Sequence, residues 1–267
     1  MAMEKWLIDG EKVIDLDGVR KLKVGLVAGQ VNIIGHDEPG ARVEVHSVKG
    51  RELKVTIDGD TLEIDHPQIR WDDFVEVFKS FTDSRARADI SITVPRDVAL
   101  TFGVVSASGL ISGLVSDATI STVSGDLVID NITGDLRLNS VNGEIAVRNH
   151  TGAITAHGVT GDITLAGAIT ALTADTVSGD VFADISGTPE AIRVNTVTGN
   201  VTTRLAADVP ARYTINTVGG RLQLDDVTVT GVRGPYTGKF GSLDKAWVEF
   251  RANTVSGNVS VLHAVTT

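Results

Sequence analysis

Residues 122–149, TVSGDLVIDNITGDLRLNSVNGEIAVRN, state nearly one phrase three times. An apolar residue, a polar residue, a glycine and an acid lead into alternating apolar positions, and the phrase restarts nine residues later. Followed outward, the pattern fills seven consecutive units from Val123. The apolar position ahead of each glycine slot is Val123, Ile132, Val141, His150, Val159, Ala168 and Val177. The first inward strand position is Leu127, Leu136, Ile145, Ile154, Ile163, Leu172 and Val181, and the second lies two residues on. Two apolar residues at spacing two, then a turn, is strand periodicity.

Nine is not the full period. Glycine followed by an acid holds in every second unit, at Gly125-Asp126, Gly143-Glu144, Gly161-Asp162 and Gly179-Asp180. The units between drift through Gly134-Asp135 and Gly152-Ala153 to Thr170-Ala171. Identity at 18 but not at nine predicts that residues 18 apart are stacked neighbours. The expected fold is therefore all-β: a β-solenoid with two nine-residue strand–turn units per coil of about 18 residues. Propeller blades need about twice as many residues per repeat.

The grammar loosens beyond this run without ending. It returns as NTVTGNVTTRL (195–205), NTVGGRLQL (216–224) and NTVSGNVSVL (253–262), and LTFGVVSASGLISGL (100–114) reads as the first coil. Residues 99–267 are thus the expected solenoid region. Its one substantial interruption, 231–247, carries Tyr236, Phe240 and Trp247 and is expected to project from one face as an insertion. Residues 1–98 read differently, as short alternating strands forming an antiparallel sheet or sandwich cap, with Asp58-Gly59 marking a hairpin. Within that cap, Trp71, Phe74, Val75, Phe78 and Phe81 recur at helical spacing, which predicts a short amphipathic helix over 69–82. The simplest role for this segment is to cover the open end of the β core.

Composition narrows the function. The chain has 267 residues, a 42% hydrophobic content with only 4% aromatic, and a formal net charge of −10. Nucleic-acid and anionic-lipid binding both want the opposite sign. The absence of cysteine removes disulfides and thiolate chemistry. No apolar run reaches the roughly 18 residues of a membrane span, and the N-terminus does not read as a signal peptide. The expected location from this chain is cytoplasmic, with envelope association through a partner.

The acid row invites three readings. As a calcium row it lacks the paired glycines of calcium-binding solenoids, and one carboxylate per coil is few for an ion that takes six to eight oxygens. As a catalytic row it lacks convergence, because the acids follow the repeat and do not gather at one point. As turn grammar it is well explained: glycine would supply a positive-φ position, and the next residue's side chain would satisfy backbone donors. Asn200 after Gly199 and Asn258 after Gly257 keep that hydrogen-bonding shape without charge. Residues 122–183 hold seven acids and two arginines, a local charge of −5, so the row is expected to face solvent. Asn131, Ser140, Asn149, Asn195, Asn216 and Asn253, ahead of the turns, read as a second polar ladder. His150 and His157 read as packing or surface residues rather than a metal pair.

The phrases TVSGD and NTVSGNVSV, the lead-in ISITVPRDVALTFGVVSASGLISG and the opening LKVGLVAGQVNIIGHDEPGARVEV resemble the putative-adhesin family of bacterial β-strand-repeat proteins, a domain of unknown function. The resemblance spans roughly residues 15–263. It implies a β-helical body and a role at the bacterial cell envelope, and it supplies no catalytic residues. The expectation is a non-enzymatic scaffold that presents a regular acidic surface to a protein or glycan partner. No cofactor or metal is expected. The candidate contacts are Tyr236, Phe240, Trp247, Trp71, Phe74 and Phe78. A monomer with weak self-association is expected. The competing functions are a carbohydrate-active enzyme on a β-helix, which needs converging carboxylates, and a calcium-stabilised solenoid.

Overall fold

A computed structural model describes residues 3–66, 86–231, 234–244 and 246–264. The aromatic segment expected as a helix over 69–82, with Trp71, Phe74 and Phe78, lies outside the described residues. Among the described residues every regular element is a β-strand, 22 in all. The chain divides into two compact units, residues 1–128 and 129–267.

The first unit holds β1 (Glu4–Ile8), β2 (Lys12–Asp17), β3 (Lys21–His36), β4 (Gly40–Lys49), β5 (Leu53–Asp58), β6 (Thr61–Asp65), β7 (Arg87–Pro95), β8 (Ala99–Ser112) and β9 (Ala118–Thr122). Strand β3 organises it. Its first arm pairs in parallel with β6 and its second with β7, while on the other side β8 runs parallel to both arms, from Lys21↔Ala99 to Ile34↔Ser112. Beyond β6 lie β5 and then β1, both antiparallel; beyond β7 lie β4 and then β2, again antiparallel. The expected antiparallel cap is therefore mixed. The reason lies in LKVGLVAGQVNII: Val24 to Val27 are buried without a break, and Gly29 lets the backbone of Ala88 approach where a Cβ would sit 1.8 Å from its carbonyl oxygen. A strand buried on both faces suits parallel pairing. At the β5–β6 hairpin Asp58 faces Thr61, so Gly59-Asp60 is the turn, and Gly59 at φ 62° occupies the glycine position of a II′ turn.

The second unit follows β10 (Leu127–Asp130), which lies at the division. It holds β11 (Leu136–Ser140), β12 (Ile145–Gly158), β13 (Ile163–Asp175), β14 (Val181–Ile185), β15 (Ala191–Thr196), β16 (Val201–Leu205), β17 (Ala211–Thr217), β18 (Leu222–Leu224), β19 (Val227–Val229), β20 (Tyr236–Phe240), β21 (Val248–Thr254) and β22 (Val259–His263). The ladders are parallel at the offset the repeat requires. Leu136 faces Ile154, Ile145 faces Ile163, and Leu165 faces Ala183, each 18 residues on. After the SGTPE segment the offset becomes 20, with Leu172 opposite Ile192 and Val181 opposite Val201. Leu138, Val147, Ala156, Leu165, Ala174 and Ala183 are fully buried, so like residues stack on like and the core is a set of aliphatic columns.

Stacking order then departs from chain order. β21 lies between β15 and β17, and β22 between β16 and β18, so the last repeat is intercalated between two earlier ones. The far sides of β17 and β18 are covered by β20 and β19, both antiparallel. Residues 231–247 thus do not project throughout. Tyr236–Phe240 alternate inward and outward along β17, because an open strand edge is a liability that must be paired.

Candidate functional site

The turn phrase N-T-V-S-G-N builds one edge of the second unit. Its threonine is buried and clasps the turn: Thr196 Oγ1 accepts the Gly199 N–H at 3.0 Å, Thr217 the Gly220 N–H at 2.8 Å, and Thr254 the Gly257 N–H at 2.8 Å. Ser140 and Thr176 use the same slot to donate to the carbonyls of Gly143 and Gly179. Sequence reasoning missed this clasp because threonine in a strand repeat looks like ordinary β preference.

The glycine row has a cause other than the expected one. None of Gly125, Gly143, Gly161, Gly179, Gly199 and Gly257 has a positive φ. A Cβ on Gly161 would lie 2.1 Å from the Gly143 carbonyl oxygen, on Gly179 2.1 Å from that of Gly161, and on Gly257 1.9 Å from that of Gly199. Glycine is required because successive backbones touch at the corner.

The residue after each glycine faces solvent and ties rungs together. Asp162 Oδ1 accepts the Asp180 N–H at 2.8 Å, and Asp180 Oδ1 accepts the Asn200 N–H at 2.7 Å. Asn200 does the same for Asn258 at 3.1 Å, and Asn258 for Arg221 at 3.0 Å. The row within this unit therefore reads Glu144, Asp162, Asp180, Asn200, Asn258, Arg221, passing from acid through amide to base. Asp126, in the first unit, is likewise exposed, and its turn is clasped by Thr122 on Gly125.

The expected second polar ladder resolves into three separate sets. Asn131 and Asn149 sit at φ 54° and 51°, left-handed positions that asparagine tolerates, and Ser140 belongs to the buried clasp. The remaining three form a continuous outward amide ladder. Asn195 donates to Asp175, Asn253 to Asn195, and Asn216 to Asn253, each at 2.7 Å. His157 extends it, with Nδ1 3.3 Å from Asp175 Oδ2.

Beside this ladder runs a stripe of exposed valines: Val159, Val177, Val197, Val255 and Val218, the last 80% exposed. The ladder, with Val177, Val197 and Val255 of the stripe and the clasping Thr176, Thr196 and Thr254, lines a groove of ≈ 460 Å³. Regular rungs about 4.8 Å apart repeat each group along the groove.

The other expected contacts lie elsewhere. Tyr236 and Phe240 are half-buried on β20, with Phe240 stacked on His263 at 3.6 Å between ring centroids. Trp247 lies under the Arg212 guanidinium at 4.4 Å. His263 places Nδ1 3.0 Å from an Asp225 carboxylate oxygen and Nε2 3.0 Å from the Val209 carbonyl. His150 stands opposite Gly167 on the next rung, where the register shifts; it is fully buried with neither ring nitrogen hydrogen-bonded in good geometry, and burial pushes its pKa down. Among the described residues no three His, Cys, Asp or Glu side chains gather as a metal site would require, and no helix is long and apolar enough to cross a membrane.

Residues 19–262 match the family described as Toastrack DUF4097. The chain belongs to that family. The sequence matches no curated protein. Among solved structures, a "putative adhesin" from Bacteroides fragilis is similar over 95% of this chain and 99% of its own, at 13% identity and a TM-score of 0.52. A "putative cell adhesion protein" from Clostridium sporogenes covers 95% and 99% at 16% identity with a TM-score of 0.30. A "putative lipid binding protein" from Parabacteroides distasonis covers 95% and 97% at 12% identity with a TM-score of 0.48. At 13% identity the likeness to the Bacteroides structure speaks to the fold alone.

Proposed function

We propose that this Toastrack protein is a non-enzymatic, adhesin-type scaffold that holds an extended glycan in the groove of its second unit. In this reading residues 99–267 wind as a β-solenoid with two nine-residue units per coil, residues 1–98 cap it, and envelope association comes through the ligand. The observation that carries it is the amide ladder Asp175–Asn195–Asn253–Asn216 beside the exposed Val177, Val197 and Val255. Asn195 and Asn253 each spend one N–H and one lone-pair site on the ladder, Asn216 at its end spends one N–H, and the remaining sites are kept for a ligand. Hydroxyls of a sugar match those groups, its apolar face matches valine, and one rung is close to the length of one sugar unit. The solved Bacteroides structure of similar fold carries an adhesin name, which accords with the reading.

The even spacing also weighs against hydrolysis. Asp162 and Asp180 are each committed to the next rung's backbone N–H rather than aimed at a shared point. Calorimetric titration with soluble neutral polysaccharides tests the proposal. Saturable binding should weaken at least tenfold in the Asn195→Ala/Asn253→Ala double variant. No saturable binding, or binding indifferent to those changes, would overturn it.

A further inference from the structure

The order of the last three rungs has a consequence for assembly. Ala191 and Arg212 flank Glu249, and Val201 and Leu222 flank Val259, so the rungs on either side of β21–β22 are 21 residues apart in both ladders (212 minus 191, 222 minus 201). Without β21–β22, residues 211–224 could close directly onto 191–205 with no slip of register. The pairs so made, Asn195 with Asn216, Thr196 with Thr217 and Gly199 with Gly220, are the grammar every other rung uses. The two walls of the slot are therefore in register with each other.

The inserted rung is well made and joined to β20 by a short connection. Val248, Phe250, Val259 and Val261 are fully buried. Phe240 and Val248 both stand opposite Ala211, on opposite sides of β17, so the short stretch between them arches over the start of that strand. That arch begins at Gly241, φ 67°, and Gly241, Ser242, Asp244 and Ala246 are exposed. A packed element on a short exposed hinge is the anatomy of domain exchange, because opening the hinge costs little and the partner restores every buried contact. Departure without replacement would expose the rung's own buried Val248, Phe250, Val259 and Val261 to water, which disfavours simple release.

We infer that β21–β22 is an exchangeable rung and that the slot between β15–β16 and β17–β18 accepts the same rung from a second copy of this chain. Asn253 and Val255 of the groove then come from the partner. The Asp225–His263 contact re-forms between chains, since Asp225 stays with the slot and His263 travels with the rung.

The chain has no cysteine, so a designed pair reads the exchange directly. Val197 and Val255 lie on adjacent rungs in register, with the Val255 N–H donating to the Val197 carbonyl at 3.2 Å. That is a spacing a disulfide can bridge. The full-length Val197→Cys/Val255→Cys variant is held at high concentration under mildly destabilising conditions, returned to native buffer and oxidised. Interchain 197–255 disulfide is expected, rising with chain concentration, and mixing the two single variants should give a mixed disulfide. Deleting Ser242–Asp244, which shortens the arch, should raise the dimer fraction severalfold. A Val177→Cys/Val197→Cys control, on rungs consecutive in sequence, should stay intrachain. Only intrachain 197–255 disulfide at every concentration, with no mixed product even from the shortened-arch variant and unchanged circular dichroism, would overturn the inference. Glycan titration is a separate readout, so either proposal can fail alone.

Discussion

The parallel ladder is closed differently in the two units. In residues 1–128 the strands that cover β3 are themselves core: Leu53, Val55, Leu62, Ile64, Ile90 and Ile92 are buried on β5, β6 and β7. In residues 129–267 the covering strands β19 and β20 are short and exposed or half-exposed, with Val227 at 56% exposure. Both arrangements pair an open edge. Only the first also removes much apolar surface from water, and burial rather than pairing dominates the gain. Satisfying hydrogen bonds and supplying stability are separable tasks, and the C-terminal rungs do the first with little of the second.

The largest expected effect contrasts two glycines. Gly199→Val would drive a Cβ 2.1 Å from the Gly179 carbonyl oxygen and should cost more than about 3 kcal/mol by chemical denaturation. Gly59→Ala, at φ 62° with open space around it, should cost only about 1 kcal/mol. If both cost the same, close approach is not what selects the glycine row.

Next comes pH, through the first unit. His66 is 2% exposed, and burial, helped by the Arg51 charge, lowers its pKa to about 4. The unfolded chain therefore binds a proton that the folded chain refuses between about pH 6.5 and 4. Stability should be full above that window and fall by about 3 kcal/mol across it as pH drops. In His66→Asn this acid-side loss should shrink markedly, as read by denaturation midpoints at stepped pH.

Smaller effects belong to the second unit. Thr196→Val leaves the buried Gly199 N–H without its acceptor and should cost about 1–2 kcal/mol. His150→Val replaces two buried ring nitrogens that lack good hydrogen bonds with an aliphatic side chain and should add about 1 kcal/mol to the denaturation free energy. Val227→Thr, on the exposed cover, should change stability by less than about 0.5 kcal/mol. Amide exchange at β19 and β20 should be faster than at β5 and β6, and equal protection would remove the contrast between the two closures.

Much of this was legible in the residues. The 18-residue offset showed because only alternate units keep glycine followed by an acid, and the inward columns showed because aliphatics fall at spacing two. The intercalated rung did not show. NTVTGN, NTVGGR and NTVSGN carry one grammar, so any of them fits any slot and nothing local marks the order. The glycine row was legible as glycine but not as to cause, because a left-handed turn and a close approach select the same residue. The groove escaped for a related reason: an outward valine beside an outward asparagine looks like strand alternation until rungs are stacked.

The row after the glycines has one more consequence. From Glu144 through Asp162 and Asp180 to Asn200, Asn258 and Arg221, its charge rises from negative through neutral to positive along the direction of stacking. That edge has a head and a tail. A long ligand with unlike ends would settle along it in one sense only, so a surface made by repetition still carries an arrow.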